Sequence, residues 1–197
     1  MGRPALKRGA IERSALELFV EKGVDGTSIR DIAERAGVTE GALYRHHKSK
    51  NDLVRALFFE HYAGFGEIVA EIRGLNLPYD ELVTKLVHAF FGLYDKDSYV
   101  FCFIMLTRHK LLEEVRADDR NPVELLSRIL RDAAKRGEIP PQNTEVTTEL
   151  LVGMVLQTAM SCYYKRLSGP VEQYSDQVAK ACLEVSHAGN VHASVIG

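Results

Sequence analysis

Apolar residues recur at helical spacing along almost the whole chain, and this period predicts an all-α fold. Residues 100–106, Val-Phe-Cys-Phe-Ile-Met-Leu, could form a strand by themselves, but their position among helical segments favours a buried helix. Capping residues, glycines and prolines divide the pattern into about nine helices. We predict them over residues 7–22, 28–36, 39–46, 50–73, 78–94, 98–115, 122–136, 143–167 and 171–187.

Two short helices follow each other closely near the amino terminus. We expect the Thr27 hydroxyl to cap the first, Gly37 to end it in the left-handed conformation, and Thr39 to cap the second. On the second helix only Ala42 and Leu43 are expected to face inward. A helix with so little apolar surface is typical of the recognition helix of a helix-turn-helix, which offers polar side chains to the major groove of DNA.

The charge of the chain is unevenly divided. The 197 residues carry a net charge of −2, which by itself does not indicate a DNA-binding protein. Residues 1–50, however, hold ten Lys and Arg against seven Asp and Glu, whereas residues 51–197 hold fifteen against twenty. The positive surplus lies in the segment with the two short helices, as binding to phosphates requires.

The same segment resembles the DNA-binding domain of the TetR family of bacterial one-component repressors. The shared pattern consists of Thr27, Ile32, Ala33, Ala36, Gly37, Val38, Thr39, Gly41, Leu43, Tyr44, Ser49 and Lys50. One departure is His47, where the family most often has Phe, and we expect a stacked, partly buried imidazole there rather than a titrating or metal-binding one. The resemblance implies a helix-turn-helix domain at residues 1–52, a helical effector-binding and dimerisation domain at 53–187 and a tail at 188–197. It also implies a repressor that a small-molecule effector releases from a palindromic operator.

Ten residues are candidates for contact with double-stranded DNA. We expect phosphate contacts, which position a protein without reading sequence, from Thr27, Arg30, Tyr44, Lys48 and Lys50. We expect the major groove to be faced by Thr39, Glu40, Gly41, Arg45 and His46. Arg45 can bind guanine through two hydrogen bonds, and Gly41 lets the backbone come close.

The last two predicted helices hold more apolar surface than one core face needs. Members of the family that the chain resembles pair these helices with their symmetry mates, which implies a homodimer; the alternative is an ordinary single-domain core. A twofold dimer fits a palindrome with half-sites roughly 34 Å apart, or a multiple of that spacing. The candidate dimer residues are Leu151, Val155, Thr158, Ala159, Cys162, Val178, Ala181, Cys182 and Val185.

Aromatic and methionine side chains are dense in the middle of the chain, with a few polar residues among them. Such a mixture is typical of an effector pocket, although any single aromatic residue belongs more often to the core than to a pocket. An inward-facing Arg108 and His109 would favour an anionic effector, whereas an outward-facing pair would be an ordinary solvated helix end. The candidate effector residues are His88, Phe91, Tyr94, Phe101, Met105, Arg108, His109, Met154 and Gln157.

Other classes of function find little support. The sequence has no phosphate-binding glycine loop, nucleophile motif or zinc-binding motif, so we predict no enzyme, cofactor or metal site. Its three cysteines are widely spaced, which argues against a disulfide framework. No signal core or membrane-spanning apolar stretch is present, and a cytoplasmic location is expected.

The sequence leaves two alternative functions open. His47 would suit a helical adaptor that has lost DNA regulation. The basic residues would suit an architectural DNA-binding protein without sequence preference, but their small surplus argues against it.

Overall fold

The computed structural model describes residues 3–115 and 121–189, and its regular secondary structure in those ranges is entirely helical. The predicted all-α fold is therefore confirmed. The helices are α1 (Arg3–Lys22), α2 (Ile29–Arg35), α3 (Glu40–Tyr44), α4 (Lys50–Arg73), α5 (Tyr79–Lys96), α6 (Ser98–Leu111), α7 (Pro122–Arg136), α8 (Thr144–Tyr163) and α9 (Ser175–Ala188). Short 3-10 helices cover Leu112–Glu114 and Val171–Tyr174. The predicted tail lies outside the described residues from position 190 onward.

Local signals place most helix ends where the sequence predicts them. The Asn121 side chain accepts hydrogen bonds from the first amides of α7, and Gly137 ends that helix with a φ of 74°. Residues 100–106 lie inside α6, as their setting predicted. The predicted end of α8 is wrong by four residues, because Lys165 takes a φ of 56° and the Arg166 amide bonds back to the Ser161 carbonyl.

The chain forms two compact units. The first contains Met1–His61 and Tyr99–Val115, and the second contains Tyr62–Ser98 and Arg116–Gly197. The helix α4 therefore contributes to both units. Helix α6 belongs to the unit that carries the two short helices.

The core of the first unit joins α6 to α1. The rings of Phe19 and Phe103 stack with their centroids 5.9 Å apart, and both side chains are buried. The Arg13 guanidinium lies over the Tyr99 ring at 5.1 Å. Burial of the two phenyl rings stabilises this packing by several kcal/mol, at about 25 cal/mol per Å² of apolar surface.

The core of the second unit lies mainly between α5 and α9. The Tyr79 hydroxyl donates a hydrogen bond of 2.6 Å to the Ser186 hydroxyl, and both residues are buried. Burial raises the pKa of Tyr79 to about 12, so its hydroxyl stays protonated and can act as the donor. Among the described residues, no helix is both long enough and apolar enough to cross a membrane.

Candidate nucleic-acid interface

The helix α2 is capped by Ser28 rather than by Thr27. The Ser28 hydroxyl accepts a hydrogen bond from the Asp31 amide at 3.1 Å, and the Asp31 carboxylate accepts one from the Ser28 amide at 2.8 Å. This reciprocal pair is a capping box. The predicted cap by Thr27 is wrong because its hydroxyl donates instead to the carbonyls of Leu18 and Gly23, at 3.2 and 2.8 Å.

A tight turn joins α2 to α3. Gly37 has a φ of 65°, which a residue with a side chain rarely adopts, and the Val38 amide bonds back to the Ala33 carbonyl at 3.0 Å. The Thr39 hydroxyl then accepts a hydrogen bond from the Ala42 amide at 3.2 Å. The predicted turn and second cap are confirmed.

The helix α3 has one fully buried side chain, Leu43, which anchors it to the rest of the amino-terminal DNA-binding head, residues 3–61. The predicted groove-facing residues Thr39, Glu40, Gly41, Arg45 and His46 are all exposed, and so is Tyr44. A Cβ atom added at Gly41 would meet no other atom within 4 Å. The packing of the chain itself therefore does not require a glycine at this position. The surface of α3 at Gly41 is open to a partner.

A concavity of about 650 Å³ lies beside α3. Arg45 and His46 line it together with Lys7 of α1. Sequence reasoning did not single out Lys7, although it belongs to the basic run Arg3, Lys7 and Arg8 at the amino terminus. Three side chains that can carry positive charge thus come together at one side of α3.

The predicted phosphate contacts fall into two groups. Arg30, Tyr44 and Lys48 are exposed, so their side chains can reach a backbone phosphate. Thr27 is only 1% exposed. The Lys50 ammonium donates hydrogen bonds of 2.7 and 2.8 Å to the carbonyls of Val24 and Thr27. Thr27 and Lys50 therefore hold the head together in this structure.

The departure at His47 places an imidazole in the interior of the head. The side chain is buried, with its Nε2 atom 3.8 Å from a Glu12 carboxylate oxygen and its Nδ1 atom 3.9 Å from an Asp52 oxygen. Within the described residues, Nε2 has no hydrogen-bond partner. Burial lowers the pKa of His47, and the nearby carboxylates oppose that effect only in part.

The predicted effector residues are divided between the two units. Phe101, Met105, Arg108 and His109 belong to the first unit, and the other five belong to the second. His109 is exposed, whereas Arg108 is half-buried. The His88 ring lies 2.9 Å from an Asp176 oxygen, in a surface contact between α5 and α9. A concavity of about 380 Å³ in the second unit is lined by other residues, among them Arg73, Leu82, Ile129 and Asp132.

The predicted dimer residues differ in their exposure. Ala159 and Cys182 are fully buried within a single chain, so they belong to its own core. The other seven are half-buried. Val146 and Leu150 on α8 are about half exposed although they are large and apolar.

Comparison with known proteins agrees with the geometry of the head. Residues 11–57 match the family described as bacterial regulatory proteins, tetR family. The HTH-type transcriptional regulator SrpR of Pseudomonas putida is 26% identical over 165 residues, which cover 82% of this chain and 72% of that protein. The uncharacterized HTH-type regulator YvkB of Bacillus subtilis is 39% identical over 86 residues, which cover 44% of this chain and 41% of that protein. That second match therefore spans less than half of either protein.

Solved structures share the fold over most of the chain. The transcriptional regulator FadR of Bacillus subtilis, in complex with stearoyl-CoA, gives a TM-score of 0.79 at 21% identity and covers 91% of this chain and 100% of its own. The TetR family regulator PfmR of Thermus thermophilus gives a TM-score of 0.73 at 18% identity, with coverages of 88% and 97%. At such identities the likeness concerns the fold.

These findings define a class first: the protein is a transcriptional regulator that binds DNA through a helix-turn-helix. Within that class, the amino-terminal domain is that of the TetR family, which matches residues 11–57, and the chain as a whole shares the fold of a solved TetR-family structure.

Proposed function

We propose that the protein is a homodimeric, sequence-specific repressor that a small-molecule effector releases from a palindromic operator. The main observation in support is the set of exposed polar side chains on and beside α3. The buried side chain of Leu43 fixes this helix to the domain. Because only Leu43 of its five residues is buried, the outer surface of α3 can contact the edges of bases in a DNA groove.

We assign different tasks to the exposed residues. Arg45 is proposed to bind a guanine through two hydrogen bonds, and Thr39, Glu40, Gly41 and His46 to line the same groove. Arg30, Tyr44 and Lys48 are proposed to bind phosphates and so to fix the orientation of the head. Thr27 and Lys50 are omitted from this set, because their polar atoms are bonded to main-chain carbonyls.

This assignment is tested with a DNA duplex selected from random sequences. Arg45→Ala should cost roughly 1–3 kcal/mol and relax the preference at one position of each half-site. Lys48→Ala, the matched control, should weaken selected and random duplexes alike and reduce the salt dependence of binding. Equal losses on both kinds of duplex for Arg45→Ala would contradict its role in reading bases.

The proposed dimer pairs α8 and α9 with the same helices of a second copy. The surface offered is apolar: Leu150 and Val146 are exposed on α8, and Val178 and Val185 are half-buried on α9. Water-exposed apolar surface of this kind favours association. We propose that this apolar surface forms the dimer contact together with Leu151, Val155, Thr158, Cys162 and Ala181.

Sedimentation velocity tests this contact. Leu150→Arg should shift the protein from dimer to monomer, since a guanidinium would enter an apolar interface. Leu75→Arg is the matched control, because Leu75 is also about half exposed but follows α4 rather than lying on α8. A dimer that survives Leu150→Arg would refute the proposed interface.

The effector is proposed to bind the helical part of the chain that follows the head. Its binding would favour an arrangement of the two heads of the dimer that does not fit the operator. Ligand and DNA then oppose each other by a coupling free energy, typically about 1–3 kcal/mol. Because FadR of Bacillus subtilis binds stearoyl-CoA, that molecule is a suitable first probe in a screen. An effector that binds this part of the chain and leaves operator affinity unchanged would contradict this mechanism.

The alternative of an adaptor without DNA regulation gains no support from the head. Its one argument was the unusual His47, and that side chain packs inside the domain without disturbing the exposed face of α3.

A further inference from the structure

We propose that Lys50 is a positioning residue, whose ammonium ties the first turn of α4 to the turn between α1 and α2 and thereby sets how the recognition helix meets DNA. The inference rests on the proposed function, since it concerns the orientation of the helix that reads the operator. It assigns to Lys50 a task other than the phosphate contact that its charge and sequence position predict.

Lys50 has two main-chain partners in this structure. It is the first residue of α4, and its Nζ atom donates to the carbonyls of Val24 and Thr27, which lie 26 and 23 residues earlier. The two distances, 2.7 and 2.8 Å, are short for bonds from an ammonium group to a carbonyl and indicate good geometry. The side chain is partly buried by this contact.

Both carbonyls belong to the turn between α1 and α2. Residues 23–28 connect α1 to α2, and the connection is tightly folded: a Cβ atom at Gly26 would come within 2.4 Å of the Lys22 carbonyl oxygen. Thr27 fastens the same turn to the end of α1 through its hydroxyl. Lys50 thus connects a fixed turn at the entry to α2 with the beginning of α4.

Use of Lys50 for a phosphate contact away from this turn would have an energetic cost. Moving the ammonium away from the turn to reach a phosphate would break both bonds and leave the Thr27 carbonyl without the donor that it has in this structure. An unpaired, partly buried carbonyl is unfavourable. Lys48, two residues earlier, is exposed and offers the same charge without that cost.

The bonds of Lys50 affect the orientation of α3 within the head. Helix α2 begins directly after the turn that Lys50 holds, and α2 is joined to α3 by the short turn at Gly37. A loosened entry to α2 therefore loosens the recognition helix. Correct docking on the selected sequence depends on that angle, whereas binding to random DNA depends mainly on charge.

The test compares Lys50→Met with Lys48→Met in the full-length protein. Both substitutions remove one positive charge and keep a long, unbranched stem. Three quantities are measured for each variant: the salt dependence of operator binding, the ratio of affinities for selected and random duplexes, and the melting temperature.

For Lys50→Met we expect an unchanged salt slope, a fall of about tenfold in the affinity ratio, comparable to the loss of one base contact, and a lower melting temperature. For Lys48→Met we expect the slope to fall by about 1 for each head, with the ratio and melting temperature unchanged. A reduced slope for Lys50→Met would overturn the proposal, and so would a lower melting temperature with an unchanged ratio, because that would indicate stabilisation alone.

Thr27→Val provides a second variant without any change of charge. It removes the hydroxyl that fastens the same turn, so it should also lower the affinity ratio and leave the salt slope intact. A normal ratio in Thr27→Val would contradict the importance of this turn. If the wild-type protein selects no sequence at all, the proposed function fails instead, and the bonds of Lys50 are then judged by the melting temperatures alone.

Discussion

Replacing His47 with Phe tests the buried imidazole at the centre of the DNA-binding head. The side chain is only 4% exposed, and its Nε2 atom has no hydrogen-bond partner among the described residues. Glu12 and Asp52 lie on either side, and Arg8, which bonds to Glu12, and the neighbouring His46 add positive charge nearby. A phenyl ring would fill the site without burying a polar nitrogen.

The effect of pH follows from the pKa. Burial holds the pKa of His47 below its ordinary value near 6.5, so the folded head resists protonation. Well above pH 6.5 the imidazole is neutral in both the folded and the unfolded state and contributes no pH dependence. As the pH falls below that value, the unfolded chain binds a proton that the folded head does not, and the free energy of unfolding decreases.

We therefore expect the free energy of unfolding to fall less in the His47→Phe variant than in the wild type between pH 7.5 and pH 5. At pH 7.5 the variant should gain about 1 kcal/mol, the lower end of the cost of an unpaired buried polar group, because the larger ring also needs some adjustment of its neighbours. Urea unfolding followed by circular dichroism measures both differences. The remaining histidines are common to both proteins, so they cancel in the comparison.

His47→Gln is the matched control, since it keeps a polar group at the site but cannot titrate. It should share the weaker pH dependence of His47→Phe without the gain at pH 7.5. A larger loss of stability in the His47→Phe variant than in the wild type on acidification would refute a lowered pKa of His47. That result would mean that Glu12 and Asp52 stabilise a protonated imidazole in the folded head.

Three further predictions concern the stability and reactivity of the chain. Ser28→Ala should lower the free energy of unfolding by about 1 kcal/mol through loss of the α2 cap, and unchanged urea unfolding would contradict that role. Tyr79→Phe should cost about 1 kcal/mol, because it removes the hydrogen bond to Ser186; equal stability would show that this bond contributes nothing. Burial raises the pKa of Cys102 to about 12 and of Cys182 to about 11, so neither thiol should react with a thiol-specific reagent at pH 8 until the protein is unfolded, and rapid labelling of either would contradict the structure.

The sequence predicted those features of the fold that depend on neighbouring residues. Asn121 caps α7, Gly137 ends it and Gly37 turns the chain between α2 and α3, each through contacts within a few residues. Such signals can be seen in a sequence because the residue type itself permits the conformation. The confirmed helix-turn-helix is a sum of these local signals.

Features that depend on distant partners could not be predicted in the same way. Thr27 and Ser28 are adjacent, and either could cap a helix. The Thr27 hydroxyl donates to the carbonyls of Leu18 and Gly23, so Ser28 caps α2. The charge of Lys50 is visible in the sequence, whereas its main-chain partners more than twenty residues away are not. The effector residues share this difficulty, since periodicity does not say which aromatic side chains line a cavity.

The central claim, dimeric and sequence-specific DNA binding through α3, is tested most directly by selecting bound sequences from a random duplex library with the purified protein. The affinity of the selected duplex is then compared with that of random DNA at two salt concentrations. We predict a palindrome with half-sites about one helical turn apart or a multiple of it, bound at least about 10³-fold more tightly than random DNA at physiological salt. Absence of enrichment, or equal affinity for selected and random duplexes, would contradict the account.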